Sequence, residues 1–334
     1  MQFVPEKTKL VKFALPSPTT EDSEGEQSFL ELNGQGIFFS SVADHLGVVR
    51  TSSGSNMANL MKRFSAHRGK LFSLLPSGMA LRHNASPVAC LKIEQMYARP
   101  VLLSGLGGLV LRQNEINALH IHYKNTLRNI LKLPKDVAEP AVFFIAGSLP
   151  IVAYLHMRIL SLFSMICHLQ GNPLNYIARE AIVRARPSSR SWFLMLRDIC
   201  VKYDLPHPLI LLESPMPKNK FKTLYKLKVT EVWRSHLVES CKSFPSLRYL
   251  CPEFLSLSRP HPIFAFIRGN AYELRAAYLQ ALLLCGRFRT ERIKRHWTDN
   301  KLGICLSPIC NNLKLLDTQE HFLLYCHGLS DERR

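Results

Sequence analysis

From Ala141 to Leu155 the chain carries a 15-residue apolar stretch, interrupted only by Gly147, Ser148 and Pro150. Such a stretch must leave water. A single helix crossing a bilayer needs about 20 predominantly apolar residues, and here Pro150 breaks the run while His156 and Arg158 follow directly. The segment is therefore expected as a buried, Pro-broken element of a helical core, with Ile151 to Ile166 at the centre of a bundle. The chain as a whole can build such a core. Of its 334 residues, 47% are hydrophobic, which excludes bulk disorder and suits roughly two domains.

The first 50 residues have a different period. Lys7 to Phe13 alternates polar and apolar side chains, as a half-buried strand does, and an acidic Ser/Pro-rich loop follows from Ser17 to Glu26. Phe29 to Phe39 reads as strand, Asn33-Gly34 turn, strand, because Asn-Gly supplies the positive φ angles of a tight hairpin. His45 to Val49 is a further short extended piece. From Asn56 the spacing becomes helical: Met57, Leu60, Met61, Phe64, Arg68 and Leu71 form one stripe, with Lys62, Arg63, His67 and Lys70 on other faces. Ile116, Leu119, Tyr123, Leu127, Ile130 and Leu131 form a second, with Asn114 as N-cap and Pro134 as the stop. Tyr272, Leu274, Ala277, Tyr278, Ala281 and Leu282 predict a further core helix, and the prolines between Pro206 and Lys228 predict loop and short helix. The fold class is α+β, mostly α, with a small antiparallel β portion near the start.

The formal charge is +18. Between Arg184 and Arg295 there are 21 Lys and Arg against 8 Asp and Glu, whereas the first 35 residues hold 3 Lys against 6 acids. That imbalance favours a polyanionic partner, either nucleic acid or an anionic membrane surface. The opening Met1-Gln2-Phe3-Val4-Pro5-Glu6-Lys7 has no basic-then-apolar secretory pattern. An intracellular chain, nuclear or cytoplasmic and not secreted, is the expectation. Its nine cysteines are then mostly reduced core thiols.

Near the C-terminus Cys305, Cys310, His321 and Cys326 follow a C-x4-C-x10-H-x4-C spacing. Zinc takes four tetrahedral ligands of this kind, and close pairs let one turn present two of them. The alternative is two core cysteines beside an unrelated histidine, and His327 is an alternative fourth ligand to Cys326. Just upstream, Gly286 to Trp297 packs Arg287, Arg289, Arg292, Lys294 and Arg295 with Phe288 and Trp297 around a single carboxylate, Glu291. That mixture suits phosphate neutralisation with base stacking, and it equally describes a solvated helix face. Catalytic constellations are hard to find in the sequence. The eight aspartates are scattered, no Gly-x-x-x-x-Gly-Lys loop occurs, and Gly105-Leu106-Gly107-Gly108 reads as close helix packing. His120 and His122, two residues apart, cannot share a helical face.

In order along the chain, Glu6 to Phe13 resembles the Lys-Thr segment of reverse transcriptases from non-LTR retrotransposons. His45-Leu46-Gly47-Val48 is similar to their primer-grip turn, Pro100 to Leu106 to their thumb-side stretch, and Gly147-Ser148-Leu149-Pro150-Ile151 to a later helical motif. Gly286 to Glu291, His296-Trp297 and the Cys305/Cys310/His321/Cys326 set match their C-terminal end. Ser104 and Gly107 depart from the family, which often has Tyr and Glu there. The resemblance implies a palm end over residues 1–50, a helical thumb and linker over 51–300, and a zinc-knuckle-like tail over 301–334. It implies RNA or DNA as partner, with no membrane and no small-molecule substrate. Lys62, Arg63, Arg68 and Lys70 would lie along a template–primer duplex, the basic residues from Arg287 to Arg295 would contact phosphates with Trp297, and one structural zinc would hold the tail. The family's paired aspartates hold two metal ions about 4 Å apart. They are expected upstream of Pro5, so a non-catalytic fragment is the expectation. A helical protein without nucleic-acid function and a piece of an active polymerase are the other two readings.

Overall fold

Two breaks divide the apolar stretch between two helices. Glu139–Ala146 forms one helix and Ile151–Cys167 the next, and they meet at 63°. Gly147 ends the first in the left-handed region (φ 60°, ψ 42°), with Gly147 N–H and Ser148 N–H donating to the Phe144 and Phe143 carbonyls. Pro150, which cannot continue a helix, precedes the second. Among the described residues no single helix is long and apolar enough to cross a membrane.

The structure is a computed structural model. It describes residues 29–32, 35–38, 40–45, 47–73, 86–169, 171–184, 186, 190–265, 267, 271–288, 290 and 302–332. The expected strand at Lys7 to Phe13 and the acidic loop lie outside them. The architecture is α+β and mostly helical. Its strands are β1 (Phe29–Leu32), β2 (Gln35–Phe38), β3 (Val42–His45) and β4 (Val48–Thr51). Antiparallel β1 and β2 pair Leu32 with Gln35, the register a two-residue Asn-Gly hairpin requires. The second piece is also a hairpin: β3 and β4 pair His45 with Val48 across Gly47, whose φ is 78°.

The helices are α1 (Met57–Phe72), α2 (Pro87–Ile93), α3 (Arg99–Leu102), α4 (Gln113–Ile130), α5 (Glu139–Ala146), α6 (Ile151–Cys167), α7 (Pro173–Arg184), α8 (Trp192–Lys202), α9 (Pro208–Glu213), α10 (Lys218–Lys242) and α11 (Ala271–Leu284). Two compact units draw on these, interleaved along the chain. The first takes Met1–Ser73, Gln95–His120 and Leu155–Lys218; the second takes Leu74–Glu94, Ile121–Tyr154 and Asn219–Arg334.

In the first unit α1 packs on β4 and α3. The buried face of α1 is Asn59, Leu60, Phe64 and His67, while Met61 and Arg68 are exposed. The stripe read from the sequence is thus rotated by about one residue, because Asn59 and His67 are polar and carried no hydrophobic signal. The start of α4 is set by Glu115, not Asn114. Glu115 accepts from the backbone N–H of Arg112 (2.8 Å) and of Asn56 (2.7 Å), and from the Asn56 amide and Ser55 hydroxyl. Burial pushes its carboxyl upward, but these four hydrogen bonds outweigh that and hold it below the ordinary range. One carboxylate therefore caps α4 by reaching back to Arg112 and fixes the entry to α1.

In the second unit Tyr123, Leu127, Ile130 and Leu131 are buried as their spacing predicted, and so are Val142, Phe143, Phe144 and Ile145. Tyr123 Oη and Ser148 Oγ are 2.8 Å apart, and Tyr154 Oη accepts from Leu149 N–H, so the polar break of the apolar run is satisfied inside the core. Leu274, Ala277 and Ala281 of α11 are buried; Tyr272 is exposed. The Pro-rich span ends sooner than expected. Its last proline is Pro217, and α10 then runs 25 residues with Phe221, Tyr225, Val229, Leu237 and Cys241 buried. All nine cysteines are free thiols, and burial pushes Cys167, Cys200 and Cys285 up to about 12.

Candidate metal centre

Residues 302–332 have almost no hydrocarbon interior. Leu302, Leu306, Ile309, Leu313 and Leu324 are each more than half exposed, while Cys305, Cys310 and Cys326 form the buried cluster, partly covered by Leu315 and Leu329. The inside of the tail is sulfur.

Local geometry explains why these residues converge. After Gly303 (φ 65°), Cys305 N–H donates to the Leu315 carbonyl and Ile304 bridges Leu316, closing a loop around the short helix Pro308–Asn312 that carries Cys310. Lys314, at φ 52°, turns the chain back. His321 and Cys326 sit at the two ends of one wide turn, His321–Tyr325, closed by Cys326 N–H to the His321 carbonyl at 2.6 Å. An i to i+5 bond of this kind is what a four-residue spacer needs to bring both side chains to one side.

One ligand atom from each of Cys305, Cys310, His321 and Cys326 lies within 4.8 Å of every other, and all four residues are buried. Cys305 Sγ and Cys326 Sγ are 3.6 Å apart. Two thiolates on a tetrahedral zinc, each about 2.3 Å from it, would stand about 3.8 Å apart. His321 Nε2 is buried without a hydrogen-bond partner among the described residues, so its lone pair or proton has no satisfaction from protein. That orphaned nitrogen beside three sulfurs fits a metal ion. His327 is exposed and supplies its backbone instead: its N–H and the Ser307 hydroxyl donate to Cys310 Sγ, while Ser307 N–H donates to Cys305 Sγ. Burial pushes the Cys305 thiol up to about 12. At Cys310 these hydrogen bonds prevail over burial and hold the thiol below its ordinary value. Donors of this kind suit metal-bound thiolates. Ser307 escaped the spacing argument, as did Gly328, where a Cβ would fall 2.8 Å from Ser307 Oγ.

The expected nucleic-acid contacts separate into groups. Lys62 is bonded to Asp44, and Arg63 Nη2 donates to the Gly47 carbonyl at 2.7 Å, so both tie α1 to the β3–β4 hairpin. Arg68 and Lys70 are exposed. Arg287 lies 3.2 Å from Asp136 Oδ2 and also donates to the Asp136 carbonyl. Arg289, Arg292, Lys294, Arg295 and Trp297 are outside the described residues. A Cβ added at Gly107 would stand 3.5 Å from Arg158 Cβ of α6, and Gly105 turns the chain at φ 74°.

Fold and site together define a mostly helical α+β chain with a buried cluster of three cysteines and one histidine suited to a metal ion. No protein-family model, curated protein or solved structure matches the chain.

Proposed function

We propose that this chain is a non-catalytic nucleic-acid-binding protein, akin to the C-terminal part of a non-LTR retrotransposon reverse transcriptase, whose tail is held by one structural zinc. The cluster of Cys305, Cys310, His321 and Cys326 is the observation that carries the reading: it has knuckle-like spacing, a tetrahedral-scale geometry and an unpartnered histidine nitrogen. Four protein ligands leave no open position, so zinc there would cross-link the tail and perform no chemistry. The +18 charge supports a polyanionic partner, and Arg68 and Lys70 are exposed on α1 to meet phosphates.

Fluorescence anisotropy with a labelled RNA–DNA hybrid tests the reading. Affinity should fall steeply between about 50 and 300 mM salt, and Arg68→Gln with Lys70→Gln should lower the salt slope by about two. Affinity indifferent to salt removes the electrostatic mechanism. Elemental analysis of the purified protein should give about one zinc per chain; none would sink the tail assignment.

A further inference from the structure

A cavity of about 640 Å³ in the first unit is lined by Arg50 of β4, Arg112 before α4 and Arg190 before α8, together with Trp192, Gly54 and Gly108. Its size falls in the range of roughly 300–1,000 Å³ typical of ligand sites. Arg50, Arg112 and Arg190, from three distant segments, line this one space, Arg112 Nη2 also donating to the Ser53 carbonyl at 3.2 Å, and no carboxylate among the described residues lines it. The nearest acid in sequence, Glu115, has both oxygens taken by Asn56, Arg112 N–H and Ser55. Trp192 spends its Nε1–H on the Gly107 carbonyl at 2.8 Å, so what the indole offers the cavity is ring carbon. Gly54 and Gly108 leave open space where a Cβ would stand, so their backbone can be approached closely. Arg190 also borders a second cavity of about 380 Å³, where Arg197 and Lys202 stand beside Asp198, itself 3.3 Å from Arg197.

We infer that these adjoining cavities bind single-stranded nucleic acid, with phosphates on Arg50, Arg112 and Arg190 and a base against Trp192. Planar guanidiniums recognise phosphate oxygens two at a time, and an indole face accepts any base. An acidic peptide would use the charge and leave the indole unmatched. A duplex would keep its bases stacked away from Trp192. The inference rests on the proposed nucleic-acid binding and adds to it a site selective for single strands.

The test uses the full chain and a short fluorescein-labelled oligothymidylate. Arg50→Gln and Arg190→Gln should each weaken binding about tenfold and lower the salt slope by about one. Trp192→Ala should weaken it similarly, while Trp192→Phe retains most of the affinity. Gly108→Leu, whose Cβ meets no protein atom within 4 Å, should narrow the cavity and weaken strand binding. Thermal midpoints of all variants verify folding. If folded variants bind the strand within twofold of the parent, the site is refuted, while salt-dependent hybrid binding leaves the broader reading standing. If oligoglutamate displaces the strand as well as unlabelled oligothymidylate does, the cavity is an acidic-peptide site and the inference fails. A parent protein that binds neither strand nor hybrid sinks both proposals.

Discussion

Replacing Gly147 with alanine would test the junction between α5 and α6 at its tightest point. Its φ of 60° alone costs an L-residue about 1–2 kcal/mol, offset in part by the lower entropy of the unfolded alanine chain. The larger effect is steric. An added Cβ would fall 1.8 Å from the Arg259 carbonyl oxygen, 2.0 Å from its carbon and 2.4 Å from Pro260 N, all backbone atoms. The 259–260 segment would have to retreat by more than about 1 Å, too far to keep van der Waals contact without a local break. The His261 N–H bond to the buried Ile145 carbonyl (3.0 Å) lies next to it, as do buried Leu257 and Phe264. Losing that bond leaves a carbonyl unsatisfied at about 1–3 kcal/mol, and loosened packing adds to it. The expected total is about 3–5 kcal/mol. Gly171→Ala is the matched control, with φ 75° and nothing within 4 Å of the added Cβ, so it should cost only about 1 kcal/mol. Urea denaturation followed by far-UV circular dichroism compares the two variants. If they agree within about 1 kcal/mol, the close approach at Arg259 is not real and the reasoning fails.

Cys310→Ser should abolish zinc binding and make the amides of residues 302–332 exchange rapidly while those of α6 stay protected, since the tail has little other interior; unchanged tail protection would refute this. His156 is pushed down to about 4, by burial first and Lys202 second, with its Nδ1 2.7 Å from Tyr203 Oη. Because the folded state disfavours its charge, stability should be full above about pH 6.5 and fall by about 3 kcal/mol as pH drops toward 4. The pH dependence of the urea midpoint should therefore be shallower in His156→Gln, and an identical dependence would sink the assignment. Asn59 is fully buried with both amide atoms unpartnered among the described residues, so Asn59→Leu should stabilise the chain by about 1–2 kcal/mol in urea; a destabilised variant would mean the amide is satisfied.

Local pattern alone placed the buried stripe from Leu119 to Leu131, the break at Pro150 and the antiparallel pairing of β1 with β2, because each depends on residues within a few positions of one another. Ligand spacing similarly marked Cys305, Cys310, His321 and Cys326. What it left open was Cys326 against His327, and that is decided by the wide turn that carries Cys326 inward and leaves His327 exposed. The α1 stripe was legible at Leu60 and Phe64 but not at Asn59 and His67, which are buried and polar. Arg287 gave no sign of its pairing with Asp136, 151 residues away. Nothing in the sequence singled out Arg50, Arg112 and Arg190, which folding gathers around one cavity. Side chains spaced by one helical turn or one hairpin declare themselves in the chain. Convergence across roughly 60 to 150 residues depends on how the helices pack, and packing uses volumes and hydrogen bonds that no local pattern encodes.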